Sequence, residues 1–210
     1  MIKFFERPSK WILGCDPGPE HSAFALIECD DATHKPLIHA VCYMPNSVIG
    51  VLSGKAFVAS LTSYGSGDSF DPVLCCSLTY AFERCSVQAG GANAMVFETC
   101  MVAGEIRHII RGHQSGRMHS FSPSEWRYML TGKGCANDAN VRAILLTLIP
   151  ECDTILRSYS KKAKKMYELK KPITSHLRDA VGVALATGFV NYRKGLTLDQ
   201  FPARLEVHCG

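Results

Sequence analysis

Apolar runs and turn-forming stretches alternate along the first fifty residues. Trp11–Cys15 and Ser22–Glu28 are apolar runs joined by the stretch DPGPEH, and Leu37–Met44 is a third apolar run. Short apolar runs bounded by Pro, Gly and charged residues are typical of strands. Three such strands with short links predict an antiparallel meander at the start of the chain.

Helical signals dominate the pattern beyond residue 70. Asp71-Pro72 is an N-cap followed by proline, and Ser122–Glu125 (SPSE) is a capping box. The predicted helices cover residues 71–88, 102–110, 122–130, 137–148 and 175–192. Between them, short strands are predicted at Ala94–Phe97, which ends on Glu98, and at Met118–Phe121. Strands that alternate with helices after an antiparallel start predict an α/β fold with a mixed sheet flanked by helices.

Length and composition predict one domain with insertions rather than several domains. The chain has 210 residues, of which 47% are hydrophobic, enough for one sizeable core. We expect a single domain over 1–195, followed by a tail at 196–210. The expected insertions are at about 45–70 (Ser- and Gly-rich) and 151–172 (a basic linker that can include a helical turn). The mean hydropathy is +0.03, and no apolar run approaches the length of a bilayer span. The prediction is a cytoplasmic protein without a membrane segment.

Cysteine is frequent but shows no metal-binding spacing. The chain contains 10 cysteines with no CxxC pair and no zinc-finger arrangement of Cys and His. We therefore expect reduced thiols that act as small hydrophobic side chains.

Three acidic residues are predicted to occupy similar positions. Asp16 ends the first strand, Glu98 ends the predicted strand AMVFE, and Asp179 lies in the first turn of the last helix. Carboxylates at strand ends can converge at one edge of an α/β sheet. His176 is three residues before Asp179 and so shares its helix face.

Converging carboxylates repel one another, and divalent cations bound between them neutralise this repulsion. Oxygen ligands suit Mg²⁺ or Mn²⁺, and two such ions can hydrolyse a phosphodiester. A local alternative stays open, because acids at strand ends and helix starts also serve as hydrogen-bonding groups. His176 can likewise be a polar residue of the helix start.

The motifs and their order resemble those of RuvC-type Holliday junction resolvases. ILGCDPGPEHSAFALIE resembles the first motif, VFETC the second, SPSEWRYMLTGKGCANDANVRAILLTLIP the helix–turn–helix stretch, and HLRDAVGVALA the closing motif. The resemblance covers roughly residues 11–44 and 94–192. It implies a ribonuclease H-like fold, with a five-stranded mixed sheet whose first three strands are antiparallel.

The resemblance also implies roles for individual residues. Asp16, Glu98 and Asp179 fall on catalytic, metal-binding acids, and His176 falls where the family has an acid or a histidine. The three acids, with His176 as a fourth ligand or as a general acid–base group, would bind Mg²⁺ or Mn²⁺, two ions per site. The implied partners are a four-way DNA junction and a second copy of the chain in a homodimer, in the nucleoid or in the cytoplasm of a phage-infected cell.

Basic residues supply candidate contacts to DNA phosphates. The net charge is +4, and the candidates are Arg127, Lys133, Lys161, Lys162, Lys164 and Lys165. Arg127 can equally be an exposed helix residue, and the lysine run can be a solvated surface. Asp138 departs from the family, which often has a lysine there, so Lys133 is the expected substitute.

Other functions fit parts of the same pattern. A ribonuclease H-like nuclease that acts on flaps, forks or structured RNA would use the same acids. A non-catalytic module that binds branched DNA would not need them. A sugar-kinase or actin-like ATPase also opens with Asp-x-Gly after a strand, but the chain is short for one and has no second glycine-rich phosphate loop.

Overall fold

The computed structural model describes residues 11–29, 36–51, 78–85, 94–111, 117–133, 135–167 and 174–193. Within these ranges the strands are β1 (Trp11–Asp16), β2 (His21–Cys29), β3 (Pro36–Pro45), β4 (Leu78–Glu83) and β5 (Met118–Phe121). The helices are α1 (Asn46–Ile49), α2 (Ala94–Arg111), α3 (Pro123–Thr131), α4 (Asp138–Leu148), α5 (Cys152–Tyr167) and α6 (Thr174–Arg193). None of these helices combines the length and the apolar character that a bilayer span requires.

The strands form one mixed sheet in the order β3-β2-β1-β4-β5. β1 pairs antiparallel with β2, and β2 pairs antiparallel with β3. β4 lies parallel to β1, and β5 lies parallel to β4. The predicted ribonuclease H-like sheet, with three antiparallel strands at its start, is confirmed.

Helices cover both faces of the sheet, so the central strands are buried on both sides. Along β1, Ile12 faces the core that includes α3, α4, α5 and α6. Leu13 and Cys15 face the opposite core, to which α2 contributes Ile106 and Ile110. This alternation decides which face receives the last residue of each strand.

Two predicted elements in the middle of the chain are wrong. Leu78–Glu83 is a strand, although a helix was expected over 71–88, and Ala94–Phe97 lies inside α2 rather than in a strand. Short apolar runs do not distinguish buried strands from helices by periodicity. Thr79, Tyr80 and Phe82 belong to the β-branched and aromatic types that favour strands.

The predicted basic linker is also wrong over most of its length. Residues Cys152–Tyr167 form helix α5. Cys152 and Leu156, one turn apart, are buried in the same core as α6. Most of the 45–70 segment and the tail lie outside the described residues, and the proposed domain bounds stay a prediction.

The cysteines within the described ranges are all free thiols. Cys15, Cys29, Cys42 and Cys152 are buried, as expected of small hydrophobic side chains, whereas Cys100 and Cys135 are exposed. Burial raises the pKa of the Cys42 thiol to about 12, so this side chain remains neutral.

A close contact between β1 and α6 depends on Gly14. A Cβ atom at this position would lie 2.1 Å from the carbonyl oxygen of Ala180 and 2.8 Å from the Cβ of Ala184. The strand and the helix therefore approach more closely than any side chain at residue 14 would allow.

We predict that Gly14→Ala destabilises the fold by at least about 1–3 kcal/mol, because the new Cβ overlaps backbone that cannot move freely. Gly104→Ala is the control, since a Cβ there meets no atom within 4 Å. In the middle of α2 that change should stabilise by roughly 0.5–1 kcal/mol. Urea unfolding measures both, and equal stability of the two variants would contradict the predicted contact.

Candidate active site

Asp16 ends β1 with its carboxylate almost completely buried, at 7% side-chain exposure. The turn that follows it is fixed by Asn46, whose Nδ2 donates to the carbonyl oxygens of Gly18 at 2.9 Å and Pro19 at 2.8 Å. Ser22 Oγ donates to Asn46 Oδ1 at 2.9 Å. The Pro-Gly turn is thus held by a side chain from the start of α1, and Asp16 sits at a rigid strand end.

Glu83 ends the neighbouring parallel strand, β4. Cys15 is paired with Phe82 in the ladder, so Asp16 and Glu83 come next, side by side, on adjacent strands. Since Leu13 and Cys15 face the opposite core, Asp16 points to the α6 face. The same alternation along β4 puts Glu83 on that face.

The first turns of α6 supply His176 and Asp179. His176 Nδ1 lies 2.7 Å from Asp16 Oδ2, and the imidazole is 50% exposed. This hydrogen bond to Asp16 is the main cause of the raised pKa of His176. The raised pKa favours an Nδ1–H group that donates to the Asp16 carboxylate.

An aromatic ring, Tyr43, lies beside His176. The ring of Tyr43 lies 6.2 Å from the imidazole, and His21 stacks on Tyr43 at 5.1 Å with an interplanar angle of 4°. His21 thus stacks on the face of Tyr43, which in turn lies beside His176.

The surroundings of Glu83 and Asp179 disfavour the charged form of both carboxyl groups. Burial, followed by the charges of Asp16 and Asp179, raises the pKa of Glu83 to about 8. Burial and the charge of Asp16 likewise raise the pKa of Asp179 to about 7. The carboxyl groups of Asp16, Glu83 and Asp179 are close together and poorly solvated, so a charge on one disfavours ionisation of the others.

Two consecutive residues of α3 offset part of this effect. Trp126 Nε1 donates to Glu83 Oε2 at 2.8 Å. Arg127 Nη2 lies 3.7 Å from Asp179 Oδ1 and 3.1 Å from Asp138 Oδ1. Asp138 therefore holds the Arg127 guanidinium beside Asp179.

Glu98 does not end a strand, so that prediction is corrected. It lies in the first turns of α2 and is exposed. The acid that ends the fourth strand is Glu83, which sequence reasoning missed. A signal was present, because LTYAFE is an apolar run that ends in an acid, as WILGCD is.

The predicted DNA-contacting residues occupy different places. Arg127 is half-buried beside Asp179, whereas Lys133, in the turn after α3, and Lys161, on α5, are exposed. Lys162, Lys164 and Lys165 lie on the backbone of α5, and their side chains are outside the described part of the structure.

Asp16 and Glu83 at the strand ends, with His176 and Asp179 on α6, fit a divalent cation by their chemistry. Carboxylates and imidazole are ligands for Mg²⁺ and Mn²⁺. Their geometry is not that of an assembled metal site. In the described ranges, no three His, Cys, Asp or Glu side chains are placed to hold one ion. The Asp16 carboxylate is instead paired with His176.

The fold is similar to that of solved RuvC structures. The chain is similar to RuvC of Thermus thermophilus, with 14% identity, a TM-score of 0.59 and coverage of 88% of this chain and 96% of that one. For T. thermophilus RuvC in complex with a Holliday junction substrate, the identity is 16%, the TM-score 0.60 and the coverage the same, 88% and 96%. No protein-family model and no curated protein sequence matches the chain.

We predict that, with a chelator present, the free energy of unfolding falls as the pH rises from about 5 to about 8. The unfolded acids release their protons near pH 4, while the folded protein keeps protons on Asp179 and Glu83 up to about 7 and 8. His176, with its raised pKa, acts in the same direction. The folded state binds more protons in this window, so raising the pH favours unfolding.

Asp179→Asn removes one of these groups and should flatten the decline. Urea unfolding at several pH values compares the two proteins. An unchanged slope in the variant would contradict the crowding of the carboxylates.

Proposed function

We propose that the protein is a metal-dependent endonuclease that resolves four-way DNA junctions. The observation that carries the proposal is the pairing of Asp16 and Glu83 at adjacent parallel strand ends, with His176 and Asp179 opposite them on α6. The fold shared with T. thermophilus RuvC, which has been solved with a Holliday junction substrate, supports the choice of substrate.

Asp16, Glu83, Asp179 and His176 would hold two Mg²⁺ or Mn²⁺ ions. Such ions, when bound, lower the pKa of water and stabilise the charge on the leaving oxygen. Metal binding would require the hydrogen bond between Asp16 and His176 to break, because this bond now occupies one carboxylate oxygen and one imidazole nitrogen. The raised pKa values of Glu83 and Asp179 support the proposal, since cation binding would relieve the repulsion that causes them.

The chain's own groups would position the phosphodiester and the attacking water. Water would attack phosphorus in line and lose its proton to solvent, or to His176 if that side chain does not bind metal. The bond to the 3′ oxygen would break, and this leaving oxygen would take up a proton from solvent. The products are a 5′-phosphate and a 3′-hydroxyl, with no covalent enzyme intermediate.

Basic residues outside the acid cluster would bind the DNA arms. Lys133 and Lys161 are exposed, and we assign the same role to Lys162, Lys164 and Lys165. Arg127 is already engaged by two carboxylates, so a phosphate contact would compete with Asp138. Paired symmetric nicks require two active sites, for which we propose a homodimer.

We predict that Glu83→Gln lowers the rate of junction cleavage by at least about 100-fold. Mutating a hydrogen-bond partner of a metal ligand typically costs about 10–100-fold in activity or metal affinity, and loss of a ligand should cost more. Glu98→Gln is the matched control and should leave the rate unchanged. The assay uses a labelled four-way junction with Mg²⁺ and maps the nicks on opposite strands. Loss of cleavage in Glu98→Gln with retention in Glu83→Gln would reverse the assignment.

The same assay separates the competing functions. Asp16→Asn provides a protein that still binds the junction in a gel shift but does not cut it. Faster cleavage of flaps, forks or structured RNA than of the four-way junction would identify one of these as the substrate instead. Absence of cutting on every branched substrate with Mg²⁺ or Mn²⁺ would leave only a binding module.

A further inference from the structure

Trp126 is the largest of the fully buried side chains, with an exposure of 0%. Its ring packs against α6 at Gly182, where a Cβ atom would lie 2.5 Å from Trp126 Cζ3. The indole is therefore held on that side by backbone that leaves no room for another side chain. A ring fixed in this way has its N–H group fixed as well.

The indole N–H is directed at one oxygen of Glu83. Nε1 donates to Oε2 at 2.8 Å, which is a normal hydrogen-bond length. A donor to a buried carboxylate restricts its rotation and favours its charged form. Phenylalanine would fill most of the same space, so packing alone does not require tryptophan.

The helix that carries Trp126 is itself tied to the end of β4. Ser122 and Glu125 form a reciprocal capping box at the start of α3. Arg84, the residue after Glu83, donates to the Glu125 carboxylate, and its backbone N–H donates to the Phe121 carbonyl at 2.6 Å. The end of β4 is thus linked to α3 twice, through the side chain of Glu83 and through Arg84.

The other ring contact of Trp126 leads to the second acid with a raised pKa. The guanidinium of Arg127 lies 5.2 Å from the centre of the indole ring and 3.7 Å from Asp179 Oδ1. The indole thus contacts Glu83 directly and is connected to Asp179 through Arg127.

We propose that Trp126 is a positioning residue that fixes the Glu83 carboxylate through its indole N–H and thereby sets the affinity of the site for a divalent cation. The inference rests on the proposed metal-dependent function. It assigns to Trp126 a role beyond packing. Hydrogen-bond partners of metal ligands commonly act in this way.

The test is Mn²⁺ binding to Trp126→Phe, measured by the electron paramagnetic resonance signal of free Mn²⁺. We expect the dissociation constant to rise by about 10- to 100-fold. Trp11→Phe is the matched control, because Trp11 lies at the other end of β1 from Asp16. The control should bind Mn²⁺ as the unchanged protein does.

Cleavage kinetics at saturating metal provide a second measurement. A misplaced Glu83 should lower kcat for a four-way junction while leaving KM for the DNA unchanged, since DNA-binding lysines are untouched. In the Glu83→Gln background, Trp126→Phe should have no further effect on Mn²⁺ affinity, because the two residues act as one unit.

Three results would overturn the inference. Unchanged Mn²⁺ affinity in a folded Trp126→Phe protein would reduce Trp126 to a packing residue. An equal loss of affinity with and without Glu83 would mean that Trp126 acts by another route. Failure of the unchanged protein to bind Mn²⁺ at all would overturn the proposed function, and the inference with it.

Discussion

Helix α6 can lie against strand β1 only because residue 14 has no side chain. The carbonyl of Ala180 occupies the space that a Cβ at Gly14 would need. Two residues further along β1 is Asp16, and one residue before Ala180 is Asp179. A contact between a glycine and a backbone carbonyl therefore brings two carboxylates, and the neighbouring His176, to the same end of the sheet.

That closeness has an electrostatic cost. Asp16, Glu83 and Asp179 carry like charges in a place that water reaches poorly, and the pKa values of Glu83 and Asp179 rise as a result. Each acid has its own partner: His176 for Asp16, Trp126 for Glu83 and Arg127 for Asp179. A cluster built only for stability would gain from apolar replacements. Buried acids with perturbed pKa values are more typical of functional sites.

Much of the fold could be predicted from the sequence, because its first strands and its capped helices have strong local signals. Asp16, His176 and Asp179 were located by a turn sequence and by helix spacing, which act over a few residues. Glu83 was missed because a helix start at Asp71-Pro72 was extended through the strand. Glu98 was chosen instead because VFETC has the apolar-then-acid pattern of a strand end. Only the pairing of β4 with β1, a contact between distant residues, distinguishes the two glutamates.

We propose that Asp16 and Glu83, at adjacent strand ends, bind a divalent cation together with a residue of α6. A crystal structure of the protein with Mn²⁺, using the anomalous signal of manganese, tests this most directly. We predict anomalous peaks within coordination distance of the Asp16 and Glu83 carboxylates. Manganese bound at Glu98, or no peak between the two strand ends at saturating Mn²⁺, would contradict it.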